Sequence, residues 1–95
     1  MNVIFKEGVK EKINNSKGVV IEIGCGSTPK IKGAITVDIM DLDGIDIVTD
    51  ASKGLPFDDD SIDEIHSYHF LEHVEDLHFL FQEMRRVLKE GGLII

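Results

Sequence analysis

Val19-Val20-Ile21-Glu22-Ile23-Gly24-Cys25-Gly26 is an apolar run that carries one acid and closes on two glycines, and Ile35-Thr36-Val37-Asp38 is a second run that ends on a carboxylate. The first reads as a buried strand whose glycines let the backbone turn tightly against a ligand, and the second as the strand that follows it. In an open parallel sheet, ligands bind beyond the carboxyl ends of the strands, so Glu22, Gly24, Gly26 and Asp38 are expected to gather on one rim. Such a rim suits a nucleoside.

Working outward, strands are expected at 19–23, 34–38, 46–49 and 62–67, and a fifth begins at Leu93. Phe5, Val9 and Ile13 recur every four residues among charges, which predicts an amphipathic helix over 4–14 that covers one face of the sheet. The clearest helix starts at the Asp76 cap, where Leu77, Leu80, Phe81, Met84, Val87 and Leu88 keep helical spacing. Arg85, Arg86 and Lys89 suit its carboxyl end, and Gly91-Gly92 stops it. The connections after the first and second strands are too short for full crossover helices, so turns or a single helical turn are expected there.

The chain has 95 residues, enough for one domain that buries roughly 65% of its unfolded surface. Its hydrophobic content of 42% with only two prolines is that of a folded chain. Eighteen acids against ten bases give a net charge of −8, which argues against nucleic acid and anionic membranes and leaves a small molecule or a protein as partner. A lone Cys25 forms no internal disulfide, the charged amino terminus lacks a signal core, and no stretch approaches the ~20 apolar residues of a membrane span, so a cytoplasmic protein is expected.

These residues together resemble the amino-terminal half of a class I S-adenosylmethionine-dependent methyltransferase of the type 11 kind. Glu22-Ile23-Gly24-Cys25-Gly26 is similar to the family's first motif, Val37-Asp38 to its ribose-binding acid and Thr49-Asp50-Ala51 to its adenine-side motif. Leu55-Pro56-Phe57 with Ser61-Ile62-Asp63-Glu64-Ile65 resembles its approach to the fourth strand, and His69 to Val74 the segment after it. Arg86-Val87-Leu88-Lys89-Glu90-Gly91-Gly92 matches the run before its fifth strand. Each motif alone is weak, and six in order are strong.

The resemblance implies an α/β, Rossmann-like, mostly parallel sheet with flanking helices and strand order 3-2-1-4-5, truncated at the fifth strand. It implies S-adenosylmethionine as cofactor, with Asp38 on the ribose hydroxyls, Asp50 on the adenine amino group, and Ile39 and Ala51 against the ring. Amides beyond Gly24 and Gly26 would meet the amino acid part beside Cys25, and Glu22 would orient the glycine loop through its amides and favour a sulfonium nearby. Ser67 and Tyr68 would face the methyl group, and His69 is the candidate polar contact to a small-molecule or glycan-type acceptor. Methyl transfer from a sulfonium is an in-line displacement that alignment alone can speed, so no nucleophile or triad is expected.

Other readings stand beside this one. The glycine turn could be a purely structural bend. A nicotinamide-binding fingerprint fails because Pro29 stands where a third glycine should open a helix. His69 and His73 lie four apart, but no third ligand accompanies them, so no metal is expected. A degenerate cofactor-binding subunit without turnover, or a structural sheet protein, would share the same pattern. The apolar fifth strand offers an edge for a second copy or a partner chain.

Overall fold

A computed structural model of the chain describes residues 2–26, 28–67, 70–71 and 74–95. Six strands form one sheet: β1 (Ile4–Phe5), β2 (Val20–Ile23), β3 (Ile35–Asp38), β4 (Ile47–Val48), β5 (Ile62–Ser67) and β6 (Leu88–Ile94). Two helices accompany them, α1 (Val9–Asn15) and α2 (Leu77–Val87), with a 3-10 turn at Ala51–Lys53. Side by side the strands run β1-β4-β3-β2-β5-β6, and every pairing is parallel except that of β1 with β4.

This order differs from the expected 3-2-1-4-5 because a strand that was not anticipated takes the outer edge. Ile4 and Phe5 pair with Val48 and Ile47 instead of opening a helix, and the Lys6 amide donates to Asp46 O (2.9 Å). The helix expected over 4–14 therefore begins only at Val9, after a turn at Gly8. A second correction lies at the other end. Helix α2 stops at Val87, and Leu88, read as its last apolar position, instead pairs with Ile62 in β6. The next pairing joins Glu64 to Leu93, so residues 89–92 bulge out between the two. The connections after β2 and β3 are turns among the described residues.

Because side chains alternate across a strand, the registers Glu22↔Thr36 and Glu22↔His66 place Glu22, Thr36, Asp38 and His66 on one face of the sheet. The other face carries Ile21, Ile23, Ile35, Val37, Ile47 and Ile65, all buried in one cluster with Val9 of α1 and Leu80, Met84 and Val87 of α2. Both helices thus cover the apolar face. Asp76 caps α2 by accepting from the Phe79 amide (3.0 Å). Only part of its apolar stripe reaches the core, for Leu77 and Phe81 stay 40% and 43% exposed.

On the polar face, buried and half-buried side-chain acceptors meet the amides of the strands and short connections. Thr36 Oγ1 donates to Gly44 O (2.6 Å) and accepts from the Asp46 amide (2.8 Å), while Asp46 Oδ2 accepts from the Thr36 amide (3.0 Å). Glu22, fully buried, accepts from the Lys30 and Ile31 amides, all at 3.0 Å. Side-chain acceptors stand here where crossover helices would satisfy their own backbone.

Candidate functional site

At the carboxyl ends of β2, β3 and β4 lies a cavity of about 380 Å³. Of the residues read as candidates from sequence, Gly24, Asp38, Ile39, Asp50 and Ala51 line it. The glycine turn is held by the protein itself, since the Gly24 amide donates to Val37 O (2.8 Å) and the Gly26 amide to Asp38 Oδ2 (2.8 Å). Gly24 has φ +73°, and a Cβ there would lie 2.8 Å from the Cβ of Phe70, which packs over the turn. Only glycine meets both demands.

Asp38, 6% exposed, also accepts from the Met40 amide through Oδ1 (2.9 Å). Each carboxylate oxygen keeps a further lone pair, so Asp38 shapes the loop while retaining capacity for a ligand. Asp50 caps the 3-10 turn: its Oδ1 accepts from the Ser52 amide (3.1 Å) and hydroxyl (2.6 Å), and its Oδ2 has no partner among the described residues. Ile39 is 64% exposed and Ala51 is buried, which gives the cavity one open apolar wall and one closed one. The segment that follows is tied to α2. Glu83 accepts from the Leu55 amide (2.8 Å), and Arg86 donates to Leu55 O, Phe57 O, Glu83 and Asp59. The Arg86 hydrogen bond holds the Glu83 carboxyl below its usual range.

Other candidates fall elsewhere. Glu22 does bind amides, but those of Lys30 and Ile31 instead of those of the glycines, and it is not among the residues lining the cavity. Cys25 and Gly26 are likewise not among the residues that line it. Burial first, then the charges of Glu22, Asp38 and Asp46, push the Cys25 thiol up to about 11, so it stays protonated and inert. Ser67 ends β5 beside Ile23, and its amide donates to Ile95 O (3.2 Å) away from the lining. Tyr68 and His69, with His73, lie outside the described residues. No helix among the described residues is long and apolar enough to cross a membrane.

The lining is completed by Ile23, Thr49, Phe70 and Val74, which fall within the motifs quoted from the sequence but were given no site role there, and by Ser52, which lies outside them. Thr49 and Ser52 flank the Asp50-Ala51 pair, so their adjacency was a usable signal. Phe70 gave none, because its contact with Gly24 joins residues far apart in the chain.

A sequence model described as a methyltransferase domain matches residues 21–95. An uncharacterised protein of Methanocaldococcus jannaschii is 31% identical over 104 aligned residues, covering 98% of this chain and 51% of its own length. A solved structure from Methanococcus maripaludis, assigned provisionally as an S-adenosyl-L-methionine-dependent methyltransferase, superposes with a TM-score of 0.58 at 25% identity, over 90% of this chain and 52% of that one. The chain thus spans about half the length of the relatives it matches.

Proposed function

The chain belongs to the methyltransferase-domain family, as a partial class I S-adenosylmethionine-dependent domain, and on that premise we propose that its cavity binds S-adenosylmethionine for methyl transfer to a small-molecule or glycan-type acceptor. The observation that carries the reading is the meeting of Asp38, Asp50, Ile39 and Ala51 at one cavity beside the Gly24 turn. The remaining lone pairs of Asp38 would accept from the ribose hydroxyls, and Asp50 Oδ2 would accept from the adenine amino group while Ile39 and Ala51 flank the ring. When bound, the cofactor supplies an electrophilic methyl on a sulfonium. What this chain contributes is alignment and a dry wall. The net charge of −8 favours a neutral or cationic acceptor over a nucleic acid. The free side of β6, where Leu93, Ile94 and Ile95 are 56%, 44% and 58% exposed, would serve to extend the sheet with a strand from a second chain.

Isothermal titration of the purified chain with S-adenosylmethionine and with S-adenosylhomocysteine tests this, with light scattering to give the mass in solution. Binding that disappears in Asp38→Ala supports the cavity as a cofactor site. A folded chain that binds neither ligand refutes it, and binding without turnover on any acceptor favours a cofactor-binding subunit.

A further inference from the structure

Thr49 follows β4 in the wall of the cavity, 3% exposed, with its amide donating to Asp38 O (2.9 Å). Its hydroxyl is buried and has no hydrogen-bond partner, a condition shared among the described residues only by His66 Nδ1, which belongs to a residue outside the lining. The other buried side-chain acceptors around this rim, those of Glu22, Thr36 and Asp38, are all satisfied by backbone. Valine would fill the same volume without an unmet polar atom, so the hydroxyl is a liability to the unliganded fold. On the reading that the cavity holds an adenine nucleoside, we infer that the Thr49 hydroxyl is a specificity contact that hydrogen-bonds a polar atom of that nucleoside. Thr49 is bonded through its amide to Asp38 O and precedes Asp50 in the chain, so the contact would fall on the part of the ligand that the two carboxylates address. One step about χ1, roughly 120°, exchanges the hydroxyl with the methyl or hydrogen on Cβ, and a polar ligand atom in the cavity would hold it turned inward.

Thr49→Val, Thr49→Ala and Thr49→Ser are titrated with adenosine and with S-adenosylhomocysteine, and unfolded in urea without ligand. The expected result is opposite signs in Thr49→Val: a higher urea midpoint, yet about tenfold weaker binding of both probes, which corresponds to about 1.4 kcal/mol. Thr49→Ala repeats the loss of affinity should the valine not fold, and Thr49→Ser keeps affinity within about twofold. Wild-type affinity in both Thr49→Val and Thr49→Ala overturns the inference while leaving the cavity a nucleoside site. Failure of the wild-type chain to bind either probe overturns the nucleoside reading itself, and the contact with it.

Discussion

Replacing Gly24 by alanine separates two costs that usually arrive together. At φ +73° any L side chain is strained by about 1–2 kcal/mol. The added methyl would also lie 2.8 Å from Phe70 Cβ and 3.1 Å from its Cγ and Cδ1, an overpacking cost of about 1–3 kcal/mol. Gly26 supplies the control, for it has φ +60° but nothing within 4 Å of a built Cβ. Gly26→Ala should therefore cost about 1–2 kcal/mol and Gly24→Ala about 2–5 kcal/mol. In a domain of this size each kcal/mol lowers Tm by roughly 4–8 °C, so urea and thermal unfolding resolve the difference. The excess should vanish in a Phe70→Gly background; alanine at 70 would keep the Cβ that makes the closest contact. Equal destabilisation of the two glycine variants in the wild-type background would refute the packing of Phe70 on the turn, as would an excess that survives Phe70→Gly.

Glu22→Gln places an amide donor against the Lys30 and Ile31 amides and should cost about 1–3 kcal/mol by urea unfolding, against a few tenths for Glu64→Gln on the same face. Arg86→Met keeps the side-chain stem but removes the donor to Leu55 O, Phe57 O and Glu83 Oε2, while Glu83 Oε1 keeps the Leu55 amide, for a loss of about 1–3 kcal/mol; a change under about 0.5 kcal/mol would show that the clamp is idle. Asp63 is held below its usual 3.8 chiefly by the Val19 amide, and Glu83 below its usual 4.5 chiefly by Arg86. Carboxyls depressed in the folded state stabilise above their unfolded values and lose that contribution as pH falls through the folded ones. The urea midpoint should thus hold from pH 7 to about 5 and then decline, with a shallower decline in Arg86→Met. The Cys25 thiol, buried and raised to about 11, should react with a disulfide reagent at pH 8 at least ~100-fold more slowly than in urea-unfolded chain; comparable rates would mean that it is exposed.

Features decided by short-range chemistry were legible in the sequence. The apolar run into Gly24 and Gly26, the terminal carboxylates of Asp38 and Asp50, and the Asp76 cap each declare themselves through neighbours along the chain. Features decided by partners far away were not. Phe5, Val9 and Ile13 keep helical spacing whichever way Phe5 is folded, and the partner that draws Ile4 and Phe5 into a strand is β4, some forty residues on. Leu88 likewise continues the period of α2, and only its pairing with Ile62 reveals that the helix has ended. Within the site, Glu22 was recognised as an acceptor of amides but assigned to the wrong ones, because strand alternation fixes its face while the path of the following loop does not follow from it.

The division of the sheet into an apolar and a polar face bears on which ligands the rim tolerates. Sites for pyrophosphate use free backbone amides at a glycine turn and the positive end of a helix. Here the Gly24 and Gly26 amides are committed to Val37 O and Asp38, and the described connection after Gly26 contains no helix. Cys25, in the middle of the turn, registers the local field: beyond burial, its thiolate is disfavoured by Glu22, Asp38 and Asp46 together. A phosphate at the turn would meet these carboxylates as like charge and would find neither glycine amide free. A cation is favoured there, as is a neutral nucleoside that donates to carboxylates. For the proposed ligand pair the consequence is directional. Bound as proposed, S-adenosylmethionine would bring its positive charge toward these carboxylates, and loss of the methyl would remove that charge, so they would hold the spent product less well.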